Sequence, residues 1–275
     1  MGLFDGILIC TDLDGTLYKN DKTISRENKE SIEYFKSEGG SFTFITGRLP
    51  YYSLDAFLAA RPNVPYGCIN GGGVYDGAAK RYIWTQELSS EALELVHYID
   101  ERFSDVGIQL CCFEKTCFAK ENETTVRFRE ITGLPKIICD YRDFNEPIAK
   151  AIFCTDDEEK LLAIEKALSG HEKSDKFSFV RSERTLFEIL PKGVNKGLAI
   201  EKLSEYLKIE PKKTVAIGDY DNDVYMLKAA GIGIAVSNAS PRAKEAADFI
   251  TVSNEENAIA RVIRDIENKT YVSLL

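Results

Sequence analysis

Two aspartates separated by one residue, Asp12 and Asp14, stand directly after the apolar run Ile7-Leu8-Ile9-Cys10, within the segment Asp12-Leu13-Asp14-Gly15-Thr16. The run reads as a buried strand, and open α/β sheets keep their chemistry just beyond the carboxyl ends of such strands. Paired acids in that position can share one divalent cation while one attacks and the other moves a proton. Asp and Gly clusters are also ordinary turn chemistry and build calcium loops. The calcium reading fails on spacing, because the places counted from Asp12 that need Gly and Glu hold Leu17 and Thr23. A second acidic cluster, Asp219-Tyr220-Asp221-Asn222-Asp223, puts Val224 and Ala230 there and fails in the same way.

Companions follow in a consistent chain order. Ser41 to Ile45 reads as a second buried strand and runs straight into Thr46-Gly47-Arg48. Lys196 lies in Lys192-Gly193-Val194-Asn195-Lys196-Gly197, just ahead of the amphipathic stretch Leu198 to Leu207. A further strand, Thr214-Val215-Ala216-Ile217, ends in Gly218-Asp219 and the acidic cluster. Singly, a Thr or Lys at a helix start is a cap or a solvated charge. Each of these stands at a strand end or helix start, and the order sets the group apart.

Through these four motifs, and through Ala229-Ala230-Gly231, Val236-Ser237-Asn238-Ala239, Ala246-Ala247-Asp248 and Thr251, the chain resembles the haloacid dehalogenase superfamily of phosphohydrolases, in its Cof-type branch with a type IIB cap. The resemblance implies an α/β fold: a doubly wound, Rossmann-like parallel-sheet core at residues 1–80 and 191–275, with an α+β specificity cap inserted at 81–190. It implies that Asp12 is the nucleophile, forming an aspartyl-phosphate, and that Asp14 protonates the leaving alcohol and later deprotonates water. Thr46 would donate its hydroxyl to a phosphoryl oxygen, and Lys196 would offset the charge on the phosphoryl group and the nucleophile. Asp219, the Asp12 carboxylate and the backbone carbonyl of Asp14 would form the protein share of a Mg²⁺ site. Asp223 would orient the lysine or a metal-bound water from behind. Gly47, Arg48, Asn70 and Asn222 complete the expected substrate-binding set. Asn222 stays open between a phosphate contact and a helix cap, and Asn70 begins an Asn-Gly-Gly where the family has Asn-Gly-Ala.

The activity so implied is a Mg²⁺-dependent phosphatase of small phosphorylated metabolites, sugar phosphates foremost. A phosphomutase or phosphotransferase with the same intermediate, and a non-catalytic phosphometabolite-binding module, stand as alternatives. An aspartate nucleophile is anionic at neutral pH and needs no separate base, so His97 and His171 are expected to be dispensable.

Composition narrows the partners. A net charge of -9 argues against extended binding to nucleic acid, while one local basic pocket remains allowed. None of the seven cysteines forms a Cys-x-x-Cys pair, and their odd number with no signal segment points to the cytoplasm. No apolar stretch approaches the ~20 residues of a membrane span, so no membrane partner is expected. Neither Gly71-x-Gly73 nor Gly231-x-Gly233 continues to a third glycine at dinucleotide spacing. The choice between monomer and homodimer stays open.

Along the chain, strand-helix-strand alternation predicts a parallel sheet. Pro50 is expected to open a helix, Asn70-Gly71-Gly72-Gly73 to turn into a hairpin over Val74 to Ile83, and Phe249 to Val252 to form a late strand. Between about Arg81 and Leu190 two rounds of helices and strands predict a compact α+β unit. There the polar cluster Arg181-Ser182-Glu183-Arg184 reads as a hairpin turn ahead of a cleft-lining role.

Overall fold

The computed structural model describes residues 2–271. The chain forms two compact units, one of Met1–Arg48, Ser53–Thr85 and Asn195–Leu275, the other of Leu49–Tyr52 and Gln86–Val194.

The first unit opens with β1 (Leu8–Thr11), α1 (Arg26–Ser37), β2 (Ser41–Phe44), α2 (Leu54–Ala60), β3 (Tyr66–Cys68), β4 (Gly73–Asp76) and β5 (Arg81–Thr85). β1 is buried along its whole length, as a central parallel strand covered on both faces must be. Ser25 caps α1 by accepting from the Asn28 N–H, and Gly39, at φ +90°, turns the chain beyond its end.

The second unit contains α3 (Ala92–Arg102), β6 (Gly107–Cys112), β7 (Thr116–Lys120), α4 (Glu123–Thr132), β8 (Ile148–Cys154), α5 (Glu158–Ser169), β9 (Phe177–Glu183) and β10 (Leu186–Pro191). The first unit then resumes with α6 (Lys196–Leu207), β11 (Thr214–Gly218), α7 (Val224–Ala229), β12 (Ile232–Ala235), α8 (Pro241–Ala246), β13 (Phe249–Ile250) and α9 (Ala258–Glu267). No described helix is long and apolar enough to cross a membrane.

The main sheet of the first unit runs β13-β12-β11-β1-β2, all parallel. From β1 the chain moves outward to β2, whereas β11, β12 and β13 step the other way. The switch in direction therefore falls between β1 and β11, where a doubly wound sheet opens a crevice at its carboxyl edge. Thr11 is in register with Ile217, so the loops beginning at Asp12 and at Gly218 emerge side by side. α1 packs with α9, whose Ile259, Val262, Ile263 and Ile266 are buried, while α6 packs with α7 and α7 with α8.

The second unit is a five-stranded antiparallel sheet, β7-β6-β8-β10-β9. Ile108, Leu110, Ala151, Phe153, Phe187 and Ile189 join one apolar cluster with Leu95, Val96 and Ile99 of α3 and Leu161 and Ile164 of α5. Strand alternation puts Lys150 and Glu188 on the other face. Both are 2% exposed, and Lys150 Nζ donates to each Glu188 oxygen at 2.9 Å.

Asn70 and Gly71 lie with Ile69 in a tight left-handed 3₁₀ turn that feeds the β4–β5 hairpin, as expected. Three local expectations change. Pro50 opens only a 3₁₀ turn, Pro50–Tyr52, and α2 begins at Leu54. Arg181, Ser182 and Glu183 belong to β9 and leave only Arg184-Thr185 for the turn, since Ser182 Oγ donates to Glu188 Oε1 at 2.5 Å and is held in the strand. The late strand shortens to Phe249–Ile250.

The buried pair is testable. Lys150→Met alone leaves the buried Glu188 carboxylate without this countercharge and lowers unfolding stability in urea by about 3–5 kcal/mol. Lys150→Met with Glu188→Leu recovers most of that loss, and equal stability of the two variants contradicts this account.

Candidate active site

Asp12 continues β1, its N–H donating to the Ile217 carbonyl at 2.8 Å. Lys196, the first residue of α6, is 2% exposed and reaches Asp12 Oδ1 and Asp223 Oδ1, each at 2.5 Å. Its helix start is fixed by Asn195, whose Oδ1 accepts from the Gly197 and Leu198 N–H groups. Gly71 packs so closely here that a Cβ on it would lie 1.9 Å from the Asn195 carbonyl oxygen.

Asp223 is fully buried, and its second oxygen accepts from the Asp219 and Tyr220 N–H groups at 2.9 and 3.0 Å. Both its oxygens are thus engaged by protein donors. Asp219 accepts the Thr16 hydroxyl at Oδ1, 2.7 Å away. Carboxylate oxygens of Asp12, Asp219 and Asp223 lie within 4.8 Å of one another.

Three carboxylates therefore crowd one ammonium. Burial pushes the Asp12 carboxyl up, Lys196 pulls it back, and Asp223 and Asp219 push it up again, so it stands well above the ordinary range. Burial and the neighbouring Asp223 raise the Asp219 carboxyl to about 7. Burial opposes the charge on Lys196, but Asp12 and Asp223 outweigh it and hold the amine protonated. This excess of negative charge, presented by hard oxygen donors alone, fits a divalent cation such as Mg²⁺.

Asp14 lies apart from this cluster. Its Oδ2 accepts from Arg48 Nη2 at 2.6 Å and its Oδ1 from Lys22 Nζ at 2.8 Å. Burial raises the Asp14 carboxyl, but Arg48 and Lys22 more than offset it and leave it below the usual range. Its carboxylate does not join the acidic cluster, so only its backbone carbonyl is left for the expected metal role.

Thr46, 3% exposed, is gripped through its backbone: its N–H donates to Gly67 and its carbonyl accepts from Asn70, both at 3.0 Å. Its hydroxyl oxygen accepts from the Arg48 N–H at 3.2 Å, which leaves its own hydrogen to give. Asn70 is left-handed at φ +51° and follows Ile69 at +57°, a costly conformation for a β-branched residue. The strained pair turns the Asn70 carboxamide toward Gly47, where a Cβ would lie 3.0 Å from it. Asn70 Oδ1 accepts from Asn222 Nδ2 at 3.2 Å.

The structure thus gathers Asp12, Lys196, Asp219 and Asp223 in one cluster, joins Asn70 to Asn222 beside Gly47, and ties Asp14 to Arg48. Asp221, also in the second acidic cluster of the sequence, accepts from Ser240 Oγ and Arg242. Sequence reasoning missed Lys22 on Asp14, for which the turn Asn20-Asp21-Lys22 carries no signal. It also left Thr16 without a role, although Thr16 lies inside the first motif.

Residues 9–263 match the haloacid dehalogenase-like hydrolase family. The 5-amino-6-(5-phospho-D-ribitylamino)uracil phosphatase YwtE of Bacillus subtilis (strain 168) is 30% identical over 291 residues, covering 96% of this chain and 99% of its own. A solved haloacid dehalogenase-like hydrolase from Bacteroides thetaiotaomicron is 27% identical with a TM-score of 0.80, over 94% of this chain and 99% of that one. A HAD subclass IIB sugar phosphatase shares the fold at 20% identity and a TM-score of 0.82, over 94% of this chain and 98% of its own.

Crowding of like charges has a measurable cost. In chelator, Asp219→Asn removes one of the three carboxylates and melts about 2–4 °C higher than the wild type, the shift for ~1 kcal/mol in a chain of this size. An unchanged or lower melting temperature by scanning calorimetry contradicts the repulsion.

Proposed function

The chain belongs to the haloacid dehalogenase-like hydrolase family, and from that membership we propose a Mg²⁺-dependent phosphatase of small phosphorylated metabolites, sugar phosphates foremost, that works through an aspartyl-phosphate on Asp12. The observation that carries this reading is the buried Lys196 ammonium held between Asp12 and Asp223. A cation there lets an anionic phosphoryl group approach an anionic nucleophile.

Asp12 attacks phosphorus in line; the bond to the leaving oxygen breaks, and Asp14 supplies the proton that makes it an alcohol. Water then attacks phosphorus, Asp14 takes its proton, and the phosphate leaves with Asp12 restored. Held ionised by Arg48 and Lys22, Asp14 is prepared for the second step and must carry a proton for the first. Thr46 donates its hydroxyl hydrogen to a phosphoryl oxygen, while Gly47, Arg48, Asn70 and Asn222 shape the rest of the phosphate seat. Asp12, Asp219 and the Asp14 carbonyl would hold Mg²⁺, which when bound neutralises phosphoryl oxygens as a Lewis acid. Asp223 orients Lys196.

These groups grip only a phosphate, so recognition of what it is attached to must come from elsewhere. The inserted unit is assigned that role as a specificity cap. All seven cysteines are free thiols, which suits the cytoplasm as the compartment.

Asp12→Asn is expected to lower phosphate release by at least about 10⁴-fold with the circular dichroism spectrum unchanged. Stripping Mg²⁺ with a chelator has the same effect and is reversed by adding the ion back; substantial turnover under either condition rejects the mechanism. A Mg²⁺-supplemented screen for phosphate release is expected to rank sugar and sugar-alcohol phosphates, the ribityl phosphate of the Bacillus relative among them, above nucleotides, flavin mononucleotide and pyridoxal phosphate in kcat/KM. The reverse ranking overturns the substrate class, and transfer to an added sugar in place of release overturns hydrolysis.

A further inference from the structure

Thr16 takes no part in the steps above, yet it is fully buried and its hydroxyl donates to Asp219 Oδ1 at 2.7 Å. The turn that carries it is closed by the Leu17 and Tyr18 N–H groups on the carbonyls of Asp12 and Leu13. Gly15, at φ +83°, presents no side chain to the same carboxylate: a Cβ there would lie 2.5 Å from Asp219 Oδ2 and 2.9 Å from its Cγ. The first motif therefore wraps the Asp219 carboxylate, Gly15 making room beside one oxygen and Thr16 hooking the other.

The main chain of Asp219 is pinned separately, its N–H on Asp223 and its carbonyl accepting from the Ser240 N–H at 2.8 Å. Among the described residues, the Thr16 hydroxyl is the one hydrogen-bond donor to the Asp219 carboxylate. Without it, repulsion from Asp12 and Asp223 would favour rotation of that carboxylate away from the cluster. A hydrogen bond to one oxygen fixes the side-chain torsion and leaves lone pairs of the carboxylate directed at the shared space, as outer partners of metal ligands do.

We propose that Thr16 is a positioning residue that holds Asp219 in the orientation a divalent cation requires. This rests on the reading of Asp219 as a metal ligand. The test is calorimetric titration of Mg²⁺ into the full-length, chelator-stripped protein without substrate, accompanied by thermal melts in chelator. Thr16→Ser keeps the hydroxyl and binds Mg²⁺ close to the wild type, whereas Thr16→Ala binds about 10–100-fold more weakly. Both variants lack the methyl group, so packing losses are shared and the difference reports the hydroxyl alone. Thr16→Val, which restores the volume without the donor, is expected to bind as weakly as Thr16→Ala. Equal affinity of the Ser and Ala variants overturns the inference and leaves the phosphatase reading in place. A wild type that binds no divalent cation overturns that reading and the inference together.

Discussion

The candidate active site depends on one buried ammonium. Lys196 is nearly inaccessible to water, and such a cation is costly to bury unless partners and hydrogen bonds replace its hydration. Asp12 and Asp223 supply that replacement from two different loops. The surrounding chain is shaped to permit it: Gly71 lets the Asn195 carbonyl approach, and a Cβ on Gly197 would meet the Tyr225 carbonyl at 2.6 Å. The lysine thus organises the fold locally and sets the electrostatics of Asp12 at the same time.

Topology explains why separate segments can meet there. β1 and β11 are neighbours on either side of the point where strand order reverses, so the loops after Thr11 and Gly218 open into the same crevice. The environments of Asp12 and Asp14 then diverge despite their spacing. Asp12 is buried against other carboxylates and pushed up, while Asp14 lies between two cations and is held down. Two chemically identical side chains are thus driven in opposite directions by surroundings alone.

Much of this was legible from residue order. β1 reads as a strand because Ile7 to Cys10 is an apolar run of strand length bounded by polar turns. Lys196, Asp219 and Asp223 could be placed because strand ends and helix starts carry local signals. The rest depends on contacts between distant segments. Nothing near Lys22 points to Asp14, and Asp221 finds Ser240 and Arg242 only after α8 folds back. The left-handed Ile69 runs against intrinsic preference, since a β-branched residue avoids that region unless its surroundings impose it. Lys150 and Glu188 each look like a solvated charge until sheet pairing brings them together.

The account stands on Asp12 becoming covalently phosphorylated during turnover. Acid quenching in the steady state, followed by borohydride reduction, converts an acyl phosphate on aspartate to homoserine, which peptide mass spectrometry locates. The account predicts homoserine at position 12, dependent on substrate and Mg²⁺. Turnover that proceeds with an unmodified Asp12 peptide, or with the label on another residue, contradicts it.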